Sequence, residues 1–218
     1  MNAVRAYWLS ETAAVLDISG DTGVESQRRI WSLADQFRAR AGVREVVPGM
    51  NNLTVEMDPA APEFDNLLDV LQAGWGASNA APAASRRIEI PVHYGGPDGI
   101  DLDEVARHTG LSREQVITLH SAGEYTVYFL GFLPGFAYLG GMDQRLTTPR
   151  RSEPRLSVPA GSVAIGGEQT GIYPSVSPGG WHLIGRTSLT LFDPARDHPS
   201  LLMPGDTVRF MRVEERHD

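Results

Sequence analysis

The sequence contains no cysteine and no lysine; all 19 of its basic residues are arginine. Without cysteine there is no thiol nucleophile, no disulfide framework and no thiolate metal site. Without lysine there is no Schiff base and no Walker-type lysine to meet the phosphates of ATP. Histidine is sparse: the six lie at 93, 108, 120, 182, 198 and 217, too far apart for a local zinc signature, so no metal is expected. A GxSxG elbow, a GxGxxG fingerprint and a P-loop are also absent. Positive charge is in deficit, 19 basic against 27 acidic residues, and the net charge of -8 argues against a nucleic-acid partner. Long apolar runs are missing too. The uncharged stretch 125–142 is broken by Gly131, Pro134, Gly135, Gly140 and Gly141, which reads as a buried strand entering a turn rather than a membrane span. Near the N-terminus Arg5 is followed by Ser10 and Glu11 before any apolar run develops, so no export signal is read and a cytoplasmic protein is expected.

What is present organises into two halves of an α+β chain. VRAYWLSE and AVLDIS are strand candidates, and Ile30, Leu33, Ala34, Phe37 and Ala41 repeat at helical spacing up to a stop at Gly42. VREVV and NLTVEM flank the turn PGMN, and Phe64, Leu67, Leu68 and Leu71 form a second helical stripe with Pro62 suited to its first turn. Two helices on one face of an antiparallel sheet, in a ferredoxin-like manner, are predicted for residues 1–80. The Ala/Ser/Gly/Pro-rich stretch 73–87 reads as a linker to a second domain over 88–218.

That second half opens with alternating Ile88, Ile90 and Val92. Two short helices follow, with Asp101/Glu104 and Ser112/Gln115 spaced as N-cap and N3 pairs and Gly110 between them. Their outline is that of a helix-turn-helix, but REQVITLH has one arginine in an acidic chain, which favours packing over DNA reading. YTVYFLGF, SVAIGG, TSLTLFD and TVRFMRV, separated by turns such as MPGD, predict a β-barrel or sandwich.

The chemistry-bearing candidates lie in this half. GFLPGFAYLGG places Phe132, Phe136 and Tyr138 among glycines, as a core cluster or as an apolar wall for a ligand. Arg150, Arg151 and Arg155 stand between prolines, either solvated or as a rigid clamp for carboxylate or phosphate. His120 ends a helix, as a packing residue or as a proton-transfer group. In GSVAIGGEQTGIYPSVSPGGW, Ser162, Gln169, Thr170, Tyr173, Ser177 and Trp181 offer neutral hydrogen-bonding groups beside apolar surface. Glu168 is the lone charge there, open to the roles of general base, orienter of Arg186 or solvated turn residue.

The blocks GFLPGFAYLGG, PRRSEPRLSVPAGSVAIGGEQTGIYP, SPGGWHLIGRTSLTLFD and PGDTVRF resemble the family of 5-oxoprolinase B subunits, strongly over residues 88–213 and more loosely before. That family overlaps with the domain labelled allophanate hydrolase subunit 1 and with KipI-type sporulation kinase inhibitors. The resemblance implies an N-terminal ferredoxin-like domain and a C-terminal cyclophilin-like β-barrel. It also implies a cytoplasmic hetero-oligomer with the C and A subunits of 5-oxoprolinase that opens 5-oxoproline (pyroglutamate) to glutamate using ATP, the chain being inactive alone. A non-enzymatic inhibitor of a sporulation-type histidine kinase and a component acting on allophanate or urea-derived amides are the alternative roles. On the enzyme reading, His120 or Glu168 moves a proton. Arg150, Arg151 or Arg186 holds carboxylate or phosphate, and backbone amides around Gly166, Gly167 and Gly171 stabilise an oxyanion. Phe136, Tyr138, Ser162, Gln169, Thr170, Tyr173 and Trp181 complete the expected substrate wall.

Overall fold

A computed structural model describes residues 3–20, 23–78 and 85–213. The chain divides into two compact units, Met1–Ala84 and Ser85–Asp218.

In the first unit four antiparallel strands, β1 (Ala3–Trp8), β2 (Ala13–Ser19), β3 (Val43–Pro48) and β4 (Asn52–Met57), form a sheet in the order β1-β2-β4-β3. Alternation decides which face is covered. Ala14, Leu16 and Ile18 of β2 and Leu53, Val55 and Met57 of β4 point into one core. Helix α1 (Val24–Arg38) adds Ile30, Leu33, Ala34 and Phe37, and α2 (Leu67–Ala77) adds Leu67, Leu71 and Trp75. Each fully buried Leu or Phe contributes about 1.5–3 kcal/mol. The PGMN hairpin closes with Gly49 N–H donating to Asn52 O (2.9 Å) and Asn51 at φ 57, a conformation asparagine tolerates. Three expectations shift here. Helix α1 ends at Arg38 with Ala39 as its C-cap, so Ala41 and the expected stop at Gly42 lie beyond it. A 3-10 turn at Phe64–Asn66 comes first, so α2 starts at Leu67 instead of near Pro62. The helix also runs on to Ala77, so residues 73–77 of the expected linker are helical: Trp75 is buried beneath the Arg29 guanidinium, 3.8 Å from its ring, and anchors the last turn. Residues 79–84 of that stretch lie outside the described residues.

The second unit is built on a closed barrel of seven strands in the order β10-β7-β6-β13-β5-β12-β9. In chain order these are β5 (Arg87–Tyr94), β6 (Tyr125–Leu130), β7 (Ala137–Gly140), β9 (Ser162–Gly166), β10 (Gln169–Ile172), β12 (His182–Arg186) and β13 (Thr207–Arg212). The β9–β10 hairpin completes the circle, and β5 and β13 pair in parallel. Strands β8 (Arg155–Val158) and β11 (Ser177–Gly179) form a separate two-stranded sheet. Period-two alternation again sorts the side chains: Ala137, Leu139, Val163 and Ile165 fill the interior, while Phe136, Ala164, Trp181 and Leu183 belong to a second cluster.

Helices α3 (Leu102–Thr109) and α4 (Arg113–Ala122) pack on β12 and β13 respectively. Gly110, at φ 71, ends α3, and Ser112 with Gln115 forms a complete capping box that starts α4. Inward-facing Val116, Ile117 and His120 occupy the buried side of α4, so this helix pair is a packing device. Asp101 makes no side-chain cap on α3, contrary to its spacing, because its carboxylate is engaged elsewhere. TSLTLFD is likewise no strand: residues 187–193 contribute only an isolated bridge from Phe192 to Ser200. Arg196 Nη1 takes the Thr190 carbonyl there and Leu201 N–H takes that of Leu191, so loop contacts replace a ladder. The MPGD turn forms as expected, with Gly205 at φ 91 and Asp206 N–H on Met203 O at 3.0 Å.

Candidate functional site

The glycines of the 161–181 stretch seat aromatic rings. A Cβ on Gly166 would stand 2.5 Å from the Trp181 indole, and one on Gly179 would stand 2.3 Å from the Tyr173 hydroxyl oxygen. At Gly171 it would press on Phe136 and Trp181 ring atoms at 3.2 Å. With these side chains absent the rings settle edge to face: Phe136 lies 5.6 Å from Trp181 at 80° and 5.4 Å from Tyr173 at 79°. Tyr138 stands 6.1 Å from Trp181 and stacks at 4.3 Å on Phe129.

These rings enclose a cavity of about 320 Å³, lined by Phe132, Phe136, Tyr138, Tyr173 and Trp181 with Arg150 and Arg151 at its edge. Arg150 is exposed, its guanidinium 5.9 Å from the Trp181 ring centroid, a cation–π arrangement. Burial raises the Tyr138 and Tyr173 hydroxyls above the ordinary phenol value, so both stay protonated and able to donate.

Arg151 is held from behind. Asp101, 5% exposed, accepts from Arg155 at 2.6 Å and Arg151 at 3.3 Å through Oδ1, and from the Leu183 N–H at 2.8 Å through Oδ2. One buried carboxylate thus ties the N-terminus of α3 to β12, to β8 and to the segment before β8. A polar cavity of about 370 Å³ shares Arg150 and Arg151 with the aromatic one, and its wall includes Asp101, Glu104, His108 and His182. His182 donates from Nε2 to Pro149 O at 2.9 Å, while its buried Nδ1 has no hydrogen-bond partner among the described residues.

The remaining expected site residues lie apart. Arg186 lines a different cavity, of about 510 Å³, with His93, Asp98 and Thr187; its Nε donates to Ala160 O at 2.9 Å. Glu168 sits exposed in the β9–β10 turn. Gly167 exchanges both backbone hydrogen bonds with Thr148, at 2.7 and 3.2 Å, so its N–H is not available to an oxyanion. Gly166 and Gly171 are members of the β9–β10 ladder. Ser162 is buried at the start of β9, and Gln169 is half-buried opposite Gly166.

His120 is enclosed inside the barrel. It lies 4.5 Å from the Phe210 ring and 5.5 Å from Tyr125, and burial pushes its pKa down to about 3. Its neutral ring takes one tautomer. Tyr94 O–H donates to Nδ1 at 2.8 Å, Nε2–H donates to Thr170 Oγ1 at 2.9 Å, and Thr170 O–H passes on to Ala164 O at 2.9 Å. Both ring nitrogens and the threonine hydroxyl are thereby satisfied, which is the arrangement of a structural polar network.

Six expected residues, Phe136, Tyr138, Arg150, Arg151, Tyr173 and Trp181, therefore meet at one cavity. His120, Ser162, Gly166, Gly167, Glu168, Gln169, Thr170, Gly171 and Arg186 do not line it. Asp101 and His182 escape a sequence reading as site residues: Asp101 has the spacing of a helix cap, and His182 has no neighbouring ligand-type residue to mark it. Among the described residues no cluster of three or more His, Cys, Asp or Glu could hold a metal ion, and no helix is long and apolar enough to cross a membrane.

Residues 4–202 fit the family described as carboxyltransferase domain, subdomain C and D, and the chain belongs to that family. Solved structures share the fold: the K. lactis urea amidolyase aligns over 96% of this chain and 15% of its own, with TM-score 0.81 and 22% identity. Within the family the chain falls with the B subunits of 5-oxoprolinase. It is 55% identical to that protein of Escherichia coli O157:H7 over 216 residues, 99% of each chain. The crystal structure of TTHA0988 is 41% identical over 98% of this chain with TM-score 0.78, and this chain spans 41% of it.

Proposed function

We propose that the chain is the B subunit of an ATP-dependent 5-oxoprolinase, which hydrolyses 5-oxoproline to glutamate with its A and C subunits in the cytoplasm. The aromatic cavity is its share of the substrate site. The observation that carries this reading is the meeting of Arg150 with the Phe136, Tyr138, Tyr173 and Trp181 rings around one small cavity.

5-Oxoproline is a flat five-membered lactam bearing one carboxylate. Its ring suits an aromatic wall, and its carboxylate suits a guanidinium that has no carboxylate partner among the described residues. Arg150 is that group, whereas Arg151 is occupied by Asp101. The neutral hydroxyls of Tyr138 and Tyr173 can donate to the lactam oxygen, where negative charge grows as water adds to the carbonyl carbon. Among the described residues the cavity wall holds no carboxylate or histidine to activate that water, and we assign the base to a partner chain. His120, neutral and enclosed, and Glu168, on an exposed turn, are not given that role.

ATP does not fit the helix termini of this unit. The α4 N-terminus is filled by its own capping box, Asp101 places a carboxylate before α3, and the sequence has no lysine. Nucleotide binding is therefore assigned to the complex. On this reading the first unit is a ferredoxin-like domain with its edge strand β1 placed first in the chain, the second is a cyclophilin-like barrel, and the two domains divide near residue 84.

The test is to purify the chain with the A and C subunits and measure ADP release with and without 5-oxoproline. Stimulation that needs all three chains is expected. No stimulation in any combination would remove the enzyme reading.

A further inference from the structure

Between β6 and β7 the chain reverses through a strained turn. Leu133 N–H donates to Gly131 O at 2.7 Å, and Phe132 between them has φ 65. This is the rarer, positive-φ form of the γ-turn, and for a bulky L-residue it is unfavourable because Cβ crowds the backbone carbonyl. Glycine would adopt it freely, and glycines stand at 131 and 135 in the same loop.

The phenylalanine is not explained by packing either. It is 58% exposed, whereas Phe136, four residues on, is 2% exposed. Its ring stands edge-on to Phe136 at 5.5 Å and to Tyr173 at 6.4 Å, lining the aromatic cavity. Two unfavourable features, a strained backbone and a large apolar ring facing water, converge on one residue at the cavity wall. Such strain persists where the surroundings impose it and clusters at ligand clamps.

We infer that Phe132 is a specificity-determining residue: its ring, held out by the turn, forms the wall that limits the size of the lactam admitted. This rests on reading the aromatic cavity as the 5-oxoproline site.

The experiment uses the complete three-subunit complex carrying Phe132→Ala or Phe132→Gly in this chain, with ADP release as the readout. Substrates are 5-oxoproline and its six-membered homologue, 6-oxopiperidine-2-carboxylate. In both variants KM for 5-oxoproline is expected to rise roughly tenfold, the scale of a lost apolar contact, with kcat nearly unchanged. Activity on the six-membered ring relative to the five-membered one should rise. Thermal melting of the isolated chain supplies a reading independent of activity: the glycine variant should melt above the alanine variant, because glycine alone relieves the positive φ. An active wild-type complex with an unchanged KM and ring-size ratio in both variants would overturn the assignment of Phe132 alone. A glycine variant melting below the alanine variant would overturn the strain on which it depends. A wild-type complex without 5-oxoproline-stimulated ADP release would overturn both this inference and the functional reading beneath it.

Discussion

Replacing Asp101 with alanine removes the carboxylate that fastens Arg151, Arg155 and the Leu183 amide. Taking one partner from a buried ion pair costs about 3–5 kcal/mol, and a buried N–H left unpaired costs about 1–3 kcal/mol. The losses overlap, and the two arginines, 31% and 21% exposed, regain water on release, so a destabilisation of about 3 kcal/mol is expected. Asp101→Asn retains an acceptor for the Leu183 amide but no charge for the arginines, and about half that loss should follow. Urea unfolding can be followed through Trp181, the sole tryptophan of residues 85–218, after Trp8, Trp31 and Trp75 are changed to phenylalanine. The order parent, D101N, D101A should appear as successively lower midpoints at constant slope. A D101A midpoint corresponding to a loss below about 1 kcal/mol would show that the carboxylate does not hold this segment.

Arg150→Ala in the assembled complex should lower kcat/KM for 5-oxoproline by about 10–100-fold through KM, the size expected for a lost charge-assisted carboxylate contact; an unchanged KM would remove Arg150 from the site. For His120 the folded pKa is depressed to about 3, below the unfolded value, so the unfolded chain binds the proton first as pH falls. Its stabilising contribution is complete above about pH 6.5 and declines by up to about 1.4 kcal/mol per pH unit below that. The stability gap between wild type and His120→Gln should therefore narrow from pH 7 to pH 4 in urea titrations, and a constant gap would contradict the neutral buried ring. Gly166→Ala places a methyl 2.5 Å from the Trp181 indole and should cost about 1–3 kcal/mol, with displaced Trp181 emission as its signature.

The first unit was legible because its signals are local. Period-two strands, helical stripes at Ile30–Phe37 and Leu67–Leu71, and one turn are enough to place the four strands and two helices, though not the 3-10 turn before α2 or that helix's run to Ala77. Of the barrel strands, β5, β6, β9 and β13 could be read individually, whereas β7, β10 and β12 lie in Gly/Pro-broken text without clear alternation. Nor could closure be read, because it depends on pairings such as β5 with β13 that no local pattern records. TSLTLFD shows the opposite failure: apolar alternation without a neighbouring ladder does not make a strand. At the site, aromatics and arginines were recognisable by residue type. Which arginine stays uncommitted was not, since it depends on Asp101, about fifty positions away and spaced like a cap. The glycines were noticed for their amides, yet they matter for the side chains they lack. That distinction requires the distance to Trp181 and Tyr173, which only the fold supplies.

The parallel pairing of β5 with β13 has a consequence for synthesis. β5 is the first barrel strand to leave the ribosome and β13 is the last, and each lies in the sheet beside the other. The Arg86–Asp206 ion pair and the Thr207 N–H bond to Arg86 O at 2.8 Å fasten the same seam. On the other side β5 meets β12, which is also made late. Roughly three quarters of the second unit must therefore be translated before its first strand gains either neighbour, and nearly all of it before β5 gains both. Until then β5 presents Ile88, Ile90 and Val92 on two unpaired edges, as a template for other chains. The first unit, complete within 84 residues, can fold while this wait continues. Slow, terminal closure is thus written into the topology, and the period of greatest aggregation risk falls between the emergence of Tyr94 and that of Thr207.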